Sequence, residues 1–327
     1  MSEIASELGL SRKTVSAVIN GPNSKRYVNA ETARRVREHM ERRGYVPSRS
    51  ARQLRTNPER VVGILHMDSI YSHLVEATHL LAREFARSDS GSAVEIMVTP
   101  CERLKSSVQE LLARRVTDLI WINASAGEEF RNPDIASYLS NTRTIIYNYV
   151  FESARGEDEL LSRGIALVGV DRLEHARKLA LFLKRLGHRV VAIPDIPRLD
   201  NLQSYFEVFE AAGLTVADYS SPFTVERMLK AMKKQGVTAV CFHGDSPACL
   251  ALNDLRAAGV RVPEDLTVTG FDGMSRSYNR DLTTQSIPVE KMVAKVCELV
   301  EGREKVKRHC FDLELVKGQT HGLPRGV

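Results

Sequence analysis

The sequence has little that would staple, export or arm it. Its five cysteines, Cys101, Cys241, Cys249, Cys297 and Cys310, are scattered over 327 residues with no CxxC pair. That spacing predicts free thiols in a reducing compartment, with neither a disulfide frame nor a zinc site. No apolar run reaches the length of about 18 residues that a membrane helix requires. Glu3 and Glu7 stand where an export leader is basic and then apolar, so the predicted location is cytoplasmic. Phosphate-binding and dinucleotide glycine loops, HExxH and GxSxG are all missing, so no enzyme activity, cofactor or metal is predicted. His188 after Gly187 reads as a structural partner at a helix end, and Glu128-Glu129 as a solvated loop.

What is present is an uneven charge. Residues 1–60 hold 13 Lys and Arg against 6 Asp and Glu, a net of +7, so the rest of the chain carries −2 of the total +5. A basic end on a near-neutral body is the electrostatic footprint of nucleic-acid binding. In that same region an amphipathic run, Ile4-Ala5-Ser6-Glu7-Leu8, meets a Gly9-Leu10 turn and then the stretch Ser11 to Asn20. Ser11 can cap a second helix, on which Val15, Val18 and Ile19 share an apolar face. Arg12, Lys13, Ser16 and Ala17 lie off that stripe and are expected to point outward. This is the layout of a helix-turn-helix, whose second helix enters the DNA major groove. Arg12 and Lys13 can donate to guanine O6 and N7, and Ala17 can offer a methyl to thymine. Ser11, Thr14, Ser16, Asn20 and Tyr45 suit phosphate contacts, which position without specifying.

Asn29 reads as the cap of a third helix with Val36 and Met40 on its apolar face, ended by Gly44 with Pro47 beyond. Ser48 can then open a helix of barely two turns, which is marginal alone. It carries arginines and one apolar residue, Leu54, so it reads either as a segment that orders on DNA or as a plain linker. Ile4-Ala5, Gly9-Leu10-Ser11, Thr14-Val15-Ser16, Asn20, Gly44-Tyr45-Val46-Pro47 and Ala51…Leu54, in that order, resemble the head and hinge of the lactose-repressor (LacI/GalR) family of bacterial transcription regulators. The resemblance implies DNA contact by Ser48, Arg49, Ala51 and Leu54, with Leu54 wedged between base steps in the minor groove. Two features depart from the family pattern: fewer residues precede the first helix, and the loop after Asn20 is a few residues longer.

From Val61 the chain alternates strand and helix. Expected strands are 61–65, 94–98, 118–122, 144–147, 165–171, 190–193, 237–242 and 266–272, with helices near 73–87, 105–114, up to 186, 202–212 and 225–234. Such alternation predicts doubly wound α/β layers. Gly187-His188-Arg189, Arg261 to Leu266 and Gly270-Phe271-Asp272 again resemble the family, whose regulatory core is two-lobed and periplasmic-binding-protein-like. The expected architecture is a small all-α helix-turn-helix head (1–46), a hinge helix or linker (47–58) and a two-lobed α/β core (59–327). The resemblance puts one lobe at 59–169 with 287–312 and the other at 170–286 with 313–327.

Ligands of such sheets sit at the carboxyl ends of strands. Candidates there are His66, Asp68, Tyr71, Trp121, Asn123, Asn148, Asp245 and Asp272. Trp121 reads equally as a stacking platform and as core. Asp272 resembles a family pocket residue, whereas Gly244 replaces an Asn of the family, and Asn201 and Ser204 stand where it often has Arg and Gly. The expected function is a sequence-specific DNA-binding regulator, a repressor, forming a homodimer on a near-palindromic operator and answering to a small-molecule effector such as a sugar or related metabolite. The alternative is a regulator whose core only dimerises or binds protein.

Overall fold

The computed structural model describes residues 2–20, 27–43, 60–67, 72–87, 93–122, 133–139, 142–151, 157–194, 202–219, 223–273 and 281–324. They fall into two compact units, Met1–Arg60 and Val61–Val327.

The first unit contains α1 (Ser2–Glu7), α2 (Arg12–Asn20) and α3 (Ala30–Arg42). Gly9 takes φ +64, and the N–H groups of Gly9 and Leu10 donate to the carbonyls of Ser6 and Ala5 at 3.2 and 2.9 Å. The left-handed glycine thus closes α1 and turns the chain into α2. Ser11 Oγ accepts from the Thr14 N–H at 3.0 Å, and Asn29 Oδ1 from the Thr32 N–H at 2.7 Å, so both predicted caps form. Ile4, Ala5, Val15, Val18 and Val36 make the buried core, with Leu10, Ile19, Val28 and Met40 packed on it. Gly44, the expected end of α3, lies outside the described residues.

The second unit contains two sheets with the same winding. The first is built from β1 (Val61–Met67), α4 (Ser72–Arg87), β2 (Ala93–Thr99), α5 (Leu104–Ala113), β3 (Asp118–Ile122), α6 (Pro133–Leu139), β4 (Arg143–Val150), α7 (Glu157–Ser162) and β5 (Ala166–Val170). The chain then enters the second sheet through α8 (Arg172–Arg185), β6 (Val190–Ala192), α9 (Leu202–Ala211), β7 (Thr215–Val216), α10 (Val225–Gln235), β8 (Ala239–Cys241), α11 (Asp245–Ala257), β9 (Thr267–Asp272) and β10 (Thr283–Ser286). It returns through α12 (Val289–Glu301) and β11 (Arg308–Phe311), and crosses again to β12 (Glu314–Val316). Strand order is β2-β1-β3-β4-β5-β11 in one sheet and β7-β6-β8-β9-β10-β12 in the other. All pairs are parallel except β10 with β12.

Apolar residues cover both faces of each sheet, which is why the strands read as continuous hydrophobic runs. On the first sheet, Ile64, Ile120 and Ile122 pack toward Leu74, Leu81 and Val296, while Leu65, Leu119 and Trp121 pack toward Leu104, Leu111 and Ile135. On the second, Val240 and Val268 pack toward Met228 and Leu252, and Val191 and Cys241 toward Leu179 and Phe209. In each sheet the order reverses once, between β1 and β3 and between β6 and β8. The carboxyl ends at those reversals are where open α/β sheets hold ligands.

Candidate nucleic-acid interface and ligand cleft

The head presents α2 as a basic surface. Ser11, Arg12 and Lys13 are exposed, and Thr14 and Ser16 half-buried. Arg12 and Lys13 have no ion pair among the described residues, and α2 contains no carboxylate at all. Both occupy the first turn, at the positive end of the helix dipole, where a cation is unfavourable. Elsewhere in the head, Arg34, His39 and Arg43 are matched by Glu31, Glu38 and Glu7, while Arg35, Arg37 and Arg42 have no ion pair among the described residues. Glu7 receives His39 Nε2 at 2.6 Å and the Arg43 guanidinium. Partial burial pushes the Glu7 carboxyl upward, but His39 and Arg43 outweigh it and hold it below its usual range. Ala17 does not meet the outward expectation. It is only 6% exposed. Asn20 closes α2. Tyr45, Ser48, Arg49, Ala51 and Leu54 lie outside the described residues.

In the second unit, polar side chains from separate segments gather at the strand ends. His66 is the last residue but one of β1, and its Nδ1 lies 2.9 Å from Thr78 Oγ1. His73, in the first turn of α4, places Nδ1 4.0 Å from Asp272 Oδ2. Asp272 ends β9 with φ +99, a conformation non-glycine residues rarely hold without a functional reason. Arg172 opens α8, with Cζ 5.9 Å from the Phe271 ring centre. His243 follows β8 and stacks on Tyr205 at 4.7 Å. Burial, then the Arg172 charge and His66, push His73 down to about 3. Burial and the same Arg172 charge push His243 down to about 4. The Asp272 carboxylate lies near His73 and near Gly244, the residue after His243, and Arg172 sits by the adjacent Phe271, so these segments meet in one region.

Of the strand-end candidates, His66 and Asp272 belong to this cluster. Asn148 sits at the β4 irregularity with φ +64, and its Oδ1 is shut from solvent without a hydrogen-bond partner. Asp245 is turned elsewhere. It accepts from Thr284 Oγ1 at 2.5 Å and lies over Gly270, where any side chain would collide with its carboxylate. Trp121 is fully buried among α5 and α6, so the core reading holds and the stacking one does not, because its strand alternation points it away from the sheet end. Asp68, Tyr71, Asn123 and Asn201 lie outside the described residues. His73, Arg172 and His243 were not among the sequence candidates. The strand-end rule applied after β5 and β8 reaches Arg172 and His243; nothing in the local sequence singles out His73.

The lobes are tied at their crossovers by His175. Its Nε2 accepts from the Leu313 N–H at 3.1 Å, and its carbonyl receives Gln285 Nε2 at 2.8 Å, so one buried residue joins all three connecting segments. His188 is likewise structural, bonded to Thr238 Oγ1 and the Gly322 carbonyl. An open groove of about 430 Å³ lies away from the cluster, between α4 and α12, with Arg83, Glu84, Glu301 and Arg303 on its walls. Arg83 pairs there with Glu84 and Arg303 with Glu301, while Arg87 and Glu290 on the same walls have no ion pair among the described residues. Among the described residues no group of acids, histidines or cysteines is placed to hold a metal ion, and no helix is long and apolar enough to cross a membrane.

Residues 1–48 match the family described as bacterial regulatory proteins, lacI family, and residues 173–320 match the periplasmic binding protein-like domain. The chain thus pairs a LacI-family DNA-binding domain with a periplasmic-binding-protein-like domain. It is a DNA-binding transcriptional regulator of the helix-turn-helix type with a periplasmic-binding-protein-like core. The HTH-type transcriptional regulator CelR of Thermobifida fusca is 26% identical over 319 residues, covering 92% of this chain and 90% of CelR. A LacI-family regulator from Silicibacter pomeroyi shares the fold with a TM-score of 0.73 at 18% identity, covering 98% of each chain. The lac repressor dimer bound to operator and the anti-inducer ONPF shares it at 0.66 and 21% identity, covering 97% of each chain.

Proposed function

We propose that this chain is a cytoplasmic repressor without enzymatic activity, acting as a homodimer on a near-palindromic operator. A head at 1–46 reads the site, a hinge at 47–58 orders on it, and the core at 59–327 sets the affinity. The observation that carries the reading is α2, an exposed helix with two unpaired cations where its own dipole disfavours them and no carboxylate beside them. That arrangement costs about a few tenths of a kcal/mol in the free protein, and a polyanion offsets it. Arg12 and Lys13 read base edges, Ser11, Thr14 and Ser16 fix the phosphates, and Leu54 of the hinge opens the minor groove. The solved lac repressor, a dimer on operator with a bound small molecule, supports the same assembly here.

In the core, His66, His73, Arg172, His243 and Asp272 hold a small-molecule effector between the lobes, with Asp68, Tyr71, Asn123, Asn148 and Asn201 around it. An effector alters operator affinity only as far as it prefers one lobe arrangement, and a coupling of about 1–3 kcal/mol gives a change of about 5–150-fold. Genomic fragments retained by the full-length protein, once sequenced, are expected to share a two-fold motif, with two chains per duplex by sizing. Fragments without a shared motif, or one chain per duplex, would refute it. A core that shifts operator affinity with no metabolite of the adjacent genes is a dimerisation module.

A further inference from the structure

The cleft cluster is richer in cation than a neutral ligand needs. Arg172 Nε is shut from solvent and has no hydrogen-bond partner among the described residues. Unlike Arg34, Arg114, Arg177, Arg261 and Arg308, it has no carboxylate partner among them either. It is also the first residue of α8, a helix of 14 residues, so it stands at the positive end of the dipole. The adjacent Asp171 makes no ion pair with it and directs its Oδ1 to the Glu174 N–H at 2.9 Å. His243 Nε2 beside it is shut from solvent and unpartnered as well. Arg172 as a whole is half-buried, and a cation so held without a counter-ion is unfavourable, the more so at a helix N-terminus. The same three features together favour an oxyanion, which accepts from guanidinium, imidazole and helix N–H groups at once.

Resting on the reading of this cleft as the effector site, we infer that the effector carries a carboxylate or phosphate received by Arg172 and His243, and hydroxyl groups received by Asp272. The second half follows from Asp272, the carboxylate that lies 4.0 Å from His73 across the space. It repels an anion but accepts from hydroxyls, so the ligand is polar at one end and anionic at the other. Sugar acids and sugar phosphates have that chemistry; neutral sugars leave Arg172 unmatched.

The test is calorimetric titration and thermal unfolding of the full-length protein with matched sets: glucose, gluconate and glucose 6-phosphate; ribose, ribonate and ribose 5-phosphate; and inorganic phosphate at equal ionic strength. An acid or phosphate member is expected to bind at least about tenfold tighter than its neutral parent, as one charge-assisted pair requires. Arg172→Gln is expected to abolish that preference and Arg172→Lys to keep part of it. Without ligand, Arg172→Gln is expected to melt at or above wild type, since it removes an unmatched cation. Neutral members binding as tightly as acids, no anion binding at all, equal anion binding by Arg172→Gln, or a lower melting point of that variant would each overturn the inference. Anion binding that leaves operator affinity unchanged would instead refute the effector reading while leaving the inference intact. A neutral ligand that changes operator affinity would do the reverse.

Discussion

α2 and α3 are neighbouring helices on one small core, and their first turns carry opposite charge. On α3, Arg34 pairs with Glu31 at 2.8 Å and with Glu38 at 2.7 Å, and Glu31 sits in the first turn where the dipole favours it. On α2 the first turn holds Arg12 and Lys13, exposed and unpaired among the described residues. Charge that completes a fold finds partners within the chain. Charge that is unfavourable where it stands and finds none is held for something outside. α8 also opens on a cation without an ion pair among the described residues, the half-buried Arg172, although Asp171 and Glu174 flank it.

The largest expected effect is at the exposed pair. Arg12→Ala or Lys13→Ala is expected to weaken the best operator by about 1–3 kcal/mol and relax preference at one or two bases, whereas Arg34→Ala leaves the preference intact. Selection from a randomised duplex library reads this out. Equal loss on every sequence would break the contrast between the two helices.

Val36 of α3 is fully buried against Val15 and Val18 of α2, so both helices depend on it. Val36→Ala is expected to cost the head about 2 kcal/mol. Amide exchange in the full chain is expected to accelerate on α2 and α3 alike. Acceleration confined to α3 would mean the helices fold separately.

The buried cluster makes a prediction in pH. His73 is pushed down to about 3 in the fold, from the usual 6.5, by burial first and then by Arg172 and His66. The unfolded chain therefore takes up this proton first, so the stability is complete above about 6.5 and is lost as the pH falls from there toward 3. The slope approaches about 1.4 kcal/mol per pH unit for this one histidine. Denaturant midpoints measured from neutral to mildly acid pH are expected to fall less steeply in His73→Gln, and an unchanged slope would remove His73 from the buried cluster.

Two smaller effects sharpen the α2 side. Ser11→Ala removes the cap on the Thr14 N–H and is expected to cost about 1 kcal/mol of head stability. Lys13→Gln is expected to stabilise the head by a few tenths of a kcal/mol, roughly the lower end of the helix-dipole range, while weakening DNA binding. A variant that loses both stability and binding would show that Lys13 serves the fold.

The head was legible because its determinants are local. The caps at Ser11 and Asn29, the left-handed Gly9 and the 3–4 spacing of Val15, Val18 and Ile19 all act within a turn or two. The central strands were legible for a similar reason, being apolar throughout when covered on both faces. β11 and β12 were not, since edge strands half open to solvent carry polar residues such as Arg308 and Glu314 and have no run to read. α12 had a readable apolar face, Val289, Met292, Val293 and Val296, and was passed over.

The sequence by itself determined the helix-turn-helix, its outward cations and the α/β alternation, because each rests on the periodicity and capping of neighbouring residues. The tertiary structure alone decided which strand-end residues share a space. His66, His73, Arg172, His243 and Asp272 lie on five separate segments, and only the reversal of strand order in two facing sheets brings them together. It also decided against Trp121 and Asp245, whose positions at strand ends were right but whose side chains are committed to packing and to Thr284. Side-chain direction at a strand end depends on alternation, bulges and the next helix, and only the assembled fold fixes all three.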